Sequence, residues 1–249
     1  MADTDADGRP PAGALAPDVV ADRLAAVRRR IEIAGGDPAA VTVVAVTKGF
    51  GPGAVAAAVS AGVTDVGENY AQELSAKAAG LPRELQEAVR WHFLGAVQRN
   101  KVRSLAPLVA CWQGVARETE GREIARRRPG SAVLVEVDAS GVPGRPGCPP
   151  EQVAALVGDL ASTDLDVCGL MTVAPRDQAG AQAAFRRVRE LADELGLRER
   201  SMGMSDDLEA AVAEGSTMVR VGRALFGERP PRNGEGAGPQ ADRGAPSGG

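Results

Sequence analysis

Aromatic side chains are scarce in this chain, at 3% of 249 residues, so Ala, Val and Leu must fill its core. That composition suits layers of parallel strands beneath amphipathic helices. A single histidine, His92, leaves no His-rich metal centre to build, and no metal is expected. The cysteines are Cys111, Cys148 and Cys168, widely spaced and without a CxxC pair. They exclude a disulfide framework and point to free thiols in a reducing cytoplasm. Positive charge is not in excess: the net charge is −4 and the pI near 5.3. Nucleic acid is therefore not an expected partner. No apolar run reaches the roughly 18 residues that span a bilayer, so no membrane is expected. The opening MADTDADGRPPAG lacks the basic and apolar regions of a secretory signal.

What is present is a strand–helix alternation. Residues 1–16, rich in Asp, Gly, Pro and Ala, and residues 229–249, with almost no apolar content, are expected to be flexible tails. Between them, an amphipathic helix over 17–34 stops at Gly35-Gly36. Strand candidates follow at 41–48, 64–69, 91–95, 108–114, 131–139, 166–174, 200–204 and 217–227. Helical stretches separate them, for example 52–62, 151–162, 181–195 and 206–215. Near-continuous apolar strands alternating with helices imply a parallel sheet buried on both faces. A count near eight predicts closure into a single (β/α)8 barrel of the TIM type over 17–228, and the length suits one.

In such a barrel the chemistry sits at the carboxyl ends of the strands. Strand one ends in Thr47-Lys48-Gly49, and strand two in Gly67-Glu68-Asn69-Tyr70. Strand seven carries Ser201-Met-Gly-Met-Ser205, and strand eight Arg220-Val-Gly222-Arg223. Position alone leaves two readings of Lys48 open. It ends a strand and reaches water, or it sits partly desolvated, with a lowered pKa, and forms a Schiff base with a carbonyl. Small residues and hydroxyls before a helix, as in the Ser201–Ser205 stretch, suit an anion site as well as an ordinary N-cap. Gly222 lets a backbone come close to a ligand. Taken together, a lysine on strand one faces a phosphate cradle on strands seven and eight, the layout a phosphate-bearing carbonyl cofactor needs. His92, flanked by Trp91 and Phe93, reads as a satisfied strand residue rather than a catalyst.

VAVTK, DVGENYAQEL, WHFLGAVQRNK, GLMTVAP and SMGMSDDLEAAVAEGSTMVRVGRALFGER run in order from 41 to 229. They resemble the signatures of the YggS/PROSC family, the pyridoxal phosphate homeostasis proteins. The resemblance implies a pyridoxal 5'-phosphate (PLP) barrel similar to the N-terminal domain of alanine racemase. It implies that Lys48 holds PLP as an internal aldimine and that Asn69 lies beside the ring. It also implies that Ser201, with backbone groups at Gly222 and Arg223, holds the phosphate. Arg220 is then expected to face the pyridine nitrogen and, being unable to give up its proton, to keep that nitrogen unprotonated. Met171, Met204 and Ser205 are further lining candidates.

Two segments depart from the family pattern. Cys111-Trp-Gln-Gly-Val115 stands where a Ser/His–x–Asp type segment is usual. The stretch 141–150 replaces a Lys-Gly segment, with Arg145 as the substitute. A racemase of this fold type adds a β domain that supplies a catalytic tyrosine, and that domain is not expected here. Tyr70 is the only tyrosine. The expectation is a monomeric PLP-binding protein of intracellular PLP homeostasis without strong turnover and with no residue assigned a catalytic role. PLP-dependent apo-enzymes stand as candidate partners. The alternatives are a low-activity PLP-dependent racemase or related enzyme, and a phosphate-sugar aldolase using Lys48.

Overall fold

The computed structural model describes residues 15–142 and 144–229. The tail expectations for 1–14 and 230–249 lie outside the described residues. Eight parallel strands close into a barrel in chain order. They are β1 (Thr42–Val46), β2 (Asp65–Glu68), β3 (Arg90–Phe93), β4 (Val109–Val115), β5 (Ser131–Glu136), β6 (Leu165–Met171), β7 (Glu199–Ser201) and β8 (Met218–Val221). The helices are α1 (Pro17–Ile33), α2 (Pro52–Ser60), α3 (Ala71–Gly80), α4 (Arg83–Ala88), α5 (Arg99–Leu105), α6 (Glu118–Arg127), α7 (Val153–Ala161), α8 (Gln178–Glu194), α9 (Leu208–Ala213) and α10 (Arg223–Phe226).

The strands are short and rich in Val, whose branched side chains fill a pleated surface buried on both faces. Alternate residues divide the labour. Trp91, Phe93, Val109, Trp112 and Val115 pack outward with the helices. Cys111, Leu134, Cys168 and Met171 form a small apolar cluster of their own. Closure comes from β8 against β1, in register from Thr42↔Met218 to Ala45↔Val221.

That seam explains the first helix. α10, which follows β8, is a single turn and cannot cover it. α1 takes over: its buried stripe Val20, Leu24, Val27 and Ile31 recurs at helical spacing. The stripe packs in one cluster with Leu208, Val212, Leu225 and Phe226. The eighth helical layer therefore comes from ahead of β1 in sequence.

The expected barrel is the observed one. Some strand limits were too generous. The 200–204 stretch pairs only as Glu199–Ser201, and 217–227 ends as strand at Val221. The reason is local: Gly203 turns to φ 90° and Gly222 starts the α10 turn, so the apolar run continues past the sheet.

Ile31 is fully buried beneath the seam, whereas Ile33, two residues on, is 78% exposed. Urea unfolding should show Ile31→Ala costing about 2–5 kcal/mol and Ile33→Ala less than about 0.5 kcal/mol. Equal effects would mean that α1 does not close the barrel.

Candidate functional site

The carboxyl ends of the strands surround a cavity of about 450 Å³. That lies within the roughly 300–1,000 Å³ usual for small-molecule sites. Lys48, Asn69, Arg220, Gly222 and Arg223 all line it, together with Ser205 and Met171. The chain has three lysines, Lys48, Lys77 and Lys101, and Lys48 alone is on the cavity wall.

The Lys48 turn is braced from behind. Gly49, at φ 77°, allows the chain to turn sharply after the lysine. Its N–H donates to Glu73 Oε2 at 2.8 Å. Lys77 Nζ donates to Thr47 O at 2.7 Å and to Glu68 Oε1 at 2.5 Å, and Thr47 Oγ1 donates to the same Glu68 oxygen at 2.6 Å. Lys77 thus spends its charge on the scaffold. Lys48, half-buried, is pulled below its ordinary pKa by burial and then by Arg229 and Arg220, with Glu68 and Glu73 opposing. A larger neutral fraction makes it the better nucleophile toward a carbonyl.

On the neighbouring strand β8, Arg220 also lines the cavity and is only 5% exposed. Its guanidinium donates to Ser201 O and Ser201 Oγ, each at 2.7 Å, and to Thr172 O at 2.7 Å. Burial pulls it down to about 10, opposed by Asp207 and Glu136, so it remains a cation at neutral pH. Asn69 Oδ1 is buried with no hydrogen-bond partner among the described residues. A buried orphan acceptor on a cavity wall asks for a donor from a ligand.

Ser201 is placed differently from the expectation. It is fully buried inside the barrel, and its hydroxyl is committed to Gln113 Oε1 at 2.7 Å as well as to Arg220. It does not line the cavity. Ser205, four residues on, does, and its Oγ accepts from the Ala224 N–H at 3.1 Å. The reason is the pleat: Ser201 still belongs to β7 and points inward, while the turn through Gly203 carries Ser205 to the rim. Gly222 approaches β1 closely, since a Cβ there would lie 3.0 Å from Val46 O. At the rim, Arg223 pairs with Asp206.

Residues 20–230 match the family described as alanine racemase, N-terminal domain. The chain is 40% identical to the pyridoxal phosphate homeostasis protein of Pseudomonas aeruginosa over 220 residues, covering 84% of this chain and 94% of that one. With the protein of the same name from Escherichia coli the identity is 34%, covering 84% and 97%. The chain belongs to the pyridoxal phosphate homeostasis protein family. The structure of PipY from Synechococcus elongatus with PLP bound is similar at a TM-score of 0.73 and 32% identity, covering 84% of this chain and all of that one. Alanine racemase from Corynebacterium glutamicum, at 16% identity and a TM-score of 0.65, shares the fold.

Within this pyridoxal phosphate homeostasis protein framework, three features escaped the sequence reading. The Lys77–Glu68 brace is carried by the GENYAQELSAK stretch, where a lysine at helical spacing behind Glu73 was the available signal. Gln113 was seen only as part of a departure from the family pattern, yet it is fully buried and hydrogen-bonded at both ends of its amide. Glu136, at the end of β5, carries no motif. Burial raises its pKa to about 7, with Arg220 opposing and Glu120 and Asp138 adding to the rise. His92 is satisfied within the barrel, as expected of a lone strand histidine. Among the described residues no group of His, Cys, Asp and Glu is arranged to hold a metal ion.

Glu136 gives a signed pH prediction. With a folded value near 7 against an ordinary 4.5, the folded state binds more protons than the unfolded one in between. Its contribution is therefore favourable below that window and lost as pH rises through it, by roughly 3 kcal/mol. Glu136→Gln should match the parent near pH 4.5 and exceed its unfolding free energy at pH 8. A constant difference across that range would show that Glu136 ionises normally.

Proposed function

We propose that this protein binds PLP at the barrel mouth, with Lys48 as the covalent anchor, and serves PLP homeostasis rather than strong catalytic turnover. The observation that carries the reading is the presence of two groups on the wall of one cavity, from the paired strands β1 and β8: an amine with a lowered pKa, and a guanidinium that can only donate. The residues present fit the group. Asn69, whose Oδ1 lacks a partner, lines the cavity, and Ser205 with the backbone of Gly222 and Arg223 offers a polar rim for a phosphate. Ser201 acts from behind, by holding Arg220.

When bound, PLP supplies an aldehyde that a lysine amine can take as a Schiff base and a pyridine ring that can draw electrons. The chain's own residues limit that chemistry. Arg220 is the residue to meet the ring nitrogen, and a donor-only cation favours an unprotonated ring, which is a weak electron sink. Lys48 holds the one amine placed to accept or give a proton at the cofactor's carbonyl carbon. Leu94, Met171 and Val173 contribute apolar wall that limits water. Tyr70, the only tyrosine, is 49% exposed and is not part of that wall. This supports weak turnover at most.

The relatives are named as homeostasis proteins. The same reading makes PLP-requiring apo-enzymes the partners and the cytoplasm the compartment, where the unpaired thiols Cys111, Cys148 and Cys168 persist.

The test is optical. Protein incubated with PLP should turn yellow, borohydride should bleach and fix the colour, and Lys48→Ala should abolish both. A colourless protein that takes up no PLP overturns the assignment and favours a Schiff-base aldolase acting on a phosphate sugar. Rapid racemisation of amino acids by the yellow protein would instead make it an enzyme.

A further inference from the structure

Five side chains on five strands form one line of hydrogen bonds through the barrel interior. It starts at Arg220 on β8, whose Nη1 donates to Ser201 Oγ at 2.7 Å. Ser201 Oγ, on β7, donates to Gln113 Oε1 at 2.7 Å. Gln113, on β4, faces His92 Nδ1 with its amide nitrogen at 2.7 Å. His92 Nε2, on β3, meets Asp65 Oδ1 at 2.8 Å. β4 and β7 are not neighbours in the sheet, so the Ser201–Gln113 contact crosses the interior. Asp65 begins β2, at the end of the barrel away from the mouth, and lines a second cavity there.

The two ends fix the direction of every proton between them. An ionised carboxylate only accepts, so His92 Nε2 must carry hydrogen. The neutral ring then has a bare Nδ1, which must accept from the Gln113 amide NH2. That leaves Gln113 Oε1 to accept from the Ser201 hydroxyl, whose lone pairs take the Arg220 N–H. Arg220 only donates, which closes the line without conflict. The second Gln113 N–H points at Met218 Sδ at 3.0 Å, so the amide has no idle hydrogen. Ser201, Gln113 and His92 are at most 1% exposed, and water does not compete.

We propose that Gln113 and His92 are positioning residues for Arg220: the line sets the guanidinium's orientation at the cavity wall and transmits its displacement to Asp65 at the far end. The part that concerns PLP rests on the cavity reading above. Neither residue touches the cavity; both act through Ser201. Loss of the Gln113 amide would strand the Ser201 hydroxyl and His92 Nδ1 together. Arg220 would keep its bonds to Ser201 O and Thr172 O but lose the fixed orientation of the Ser201 hydroxyl.

His92 is the only histidine, so its imidazole gives isolated nitrogen signals in 15N NMR. In the PLP-free protein these should report a neutral ring with hydrogen on Nε2, and addition of PLP should shift them although the ring lies off the cavity. In parallel, Gln113→Met should weaken PLP binding roughly tenfold, but change it by less than about twofold in an Arg220→Met background. Circular dichroism checks that both variants fold; if either does not, the NMR measurements on the unaltered protein decide alone. Hydrogen on Nδ1, or a doubly protonated ring, overturns the proposed line. So does a visible band that develops with PLP while the His92 signals stay still. If no visible band develops, the PLP reading fails, and the position of the ring hydrogen in the PLP-free protein still decides the line itself.

Discussion

A buried guanidinium is the constraint on which this barrel's mouth depends. Arg220 has left water almost completely, and a charge in that position is tolerated only when its N–H groups are met. Three hydrogen bonds meet three of its five N–H groups, to β7 through Ser201 and to the end of β6 through Thr172. Those bonds hold β6, β7 and β8 at a fixed separation where the sheet's own pairing is sparse: β7 and β8 share a single paired position, Ser201↔Met218. The same arginine shares the cavity wall with Lys48 and contributes to the lowering of its pKa. Architecture and chemistry therefore rest on one side chain.

The Lys48 side of the mouth is held by a different device. Lys77, Glu68 and Glu73 lock the Thr47–Gly49 turn from the helix side, so that the amine of Lys48 is presented by a rigid strand end. Division of labour between two lysines is the result: Lys77 is neutralised by carboxylates, and Lys48 is left among arginines. A site built on strand ends and braced turns keeps its geometry better than one built on free loops.

The barrel was legible in the sequence because its strands are unbroken apolar runs set between amphipathic helices. The lysine at the end of the first run was legible for the same reason: a charge that closes a buried strand stands out. The seam helix was visible as a helix but not as the barrel's closing layer, since its partners Leu208 and Phe226 lie nearly 200 residues away in the chain. Ser201 and Ser205 could not be told apart in SMGMS, where both hydroxyls precede a helix; only the turn at Gly203 decides which one reaches the rim. Gln113 and His92 were read as isolated residues, because a line that crosses the barrel joins strands far apart in sequence and leaves no local spacing to find.

The central claim is that Lys48, alone among three lysines, is the covalent anchor for PLP. The most direct measurement is peptide mass mapping of the protein after loading with PLP and reduction by borohydride. The account predicts a single pyridoxyl-phosphate adduct, on the peptide that contains Lys48. An adduct confined to Lys77 or Lys101, or spread over all three, would contradict it.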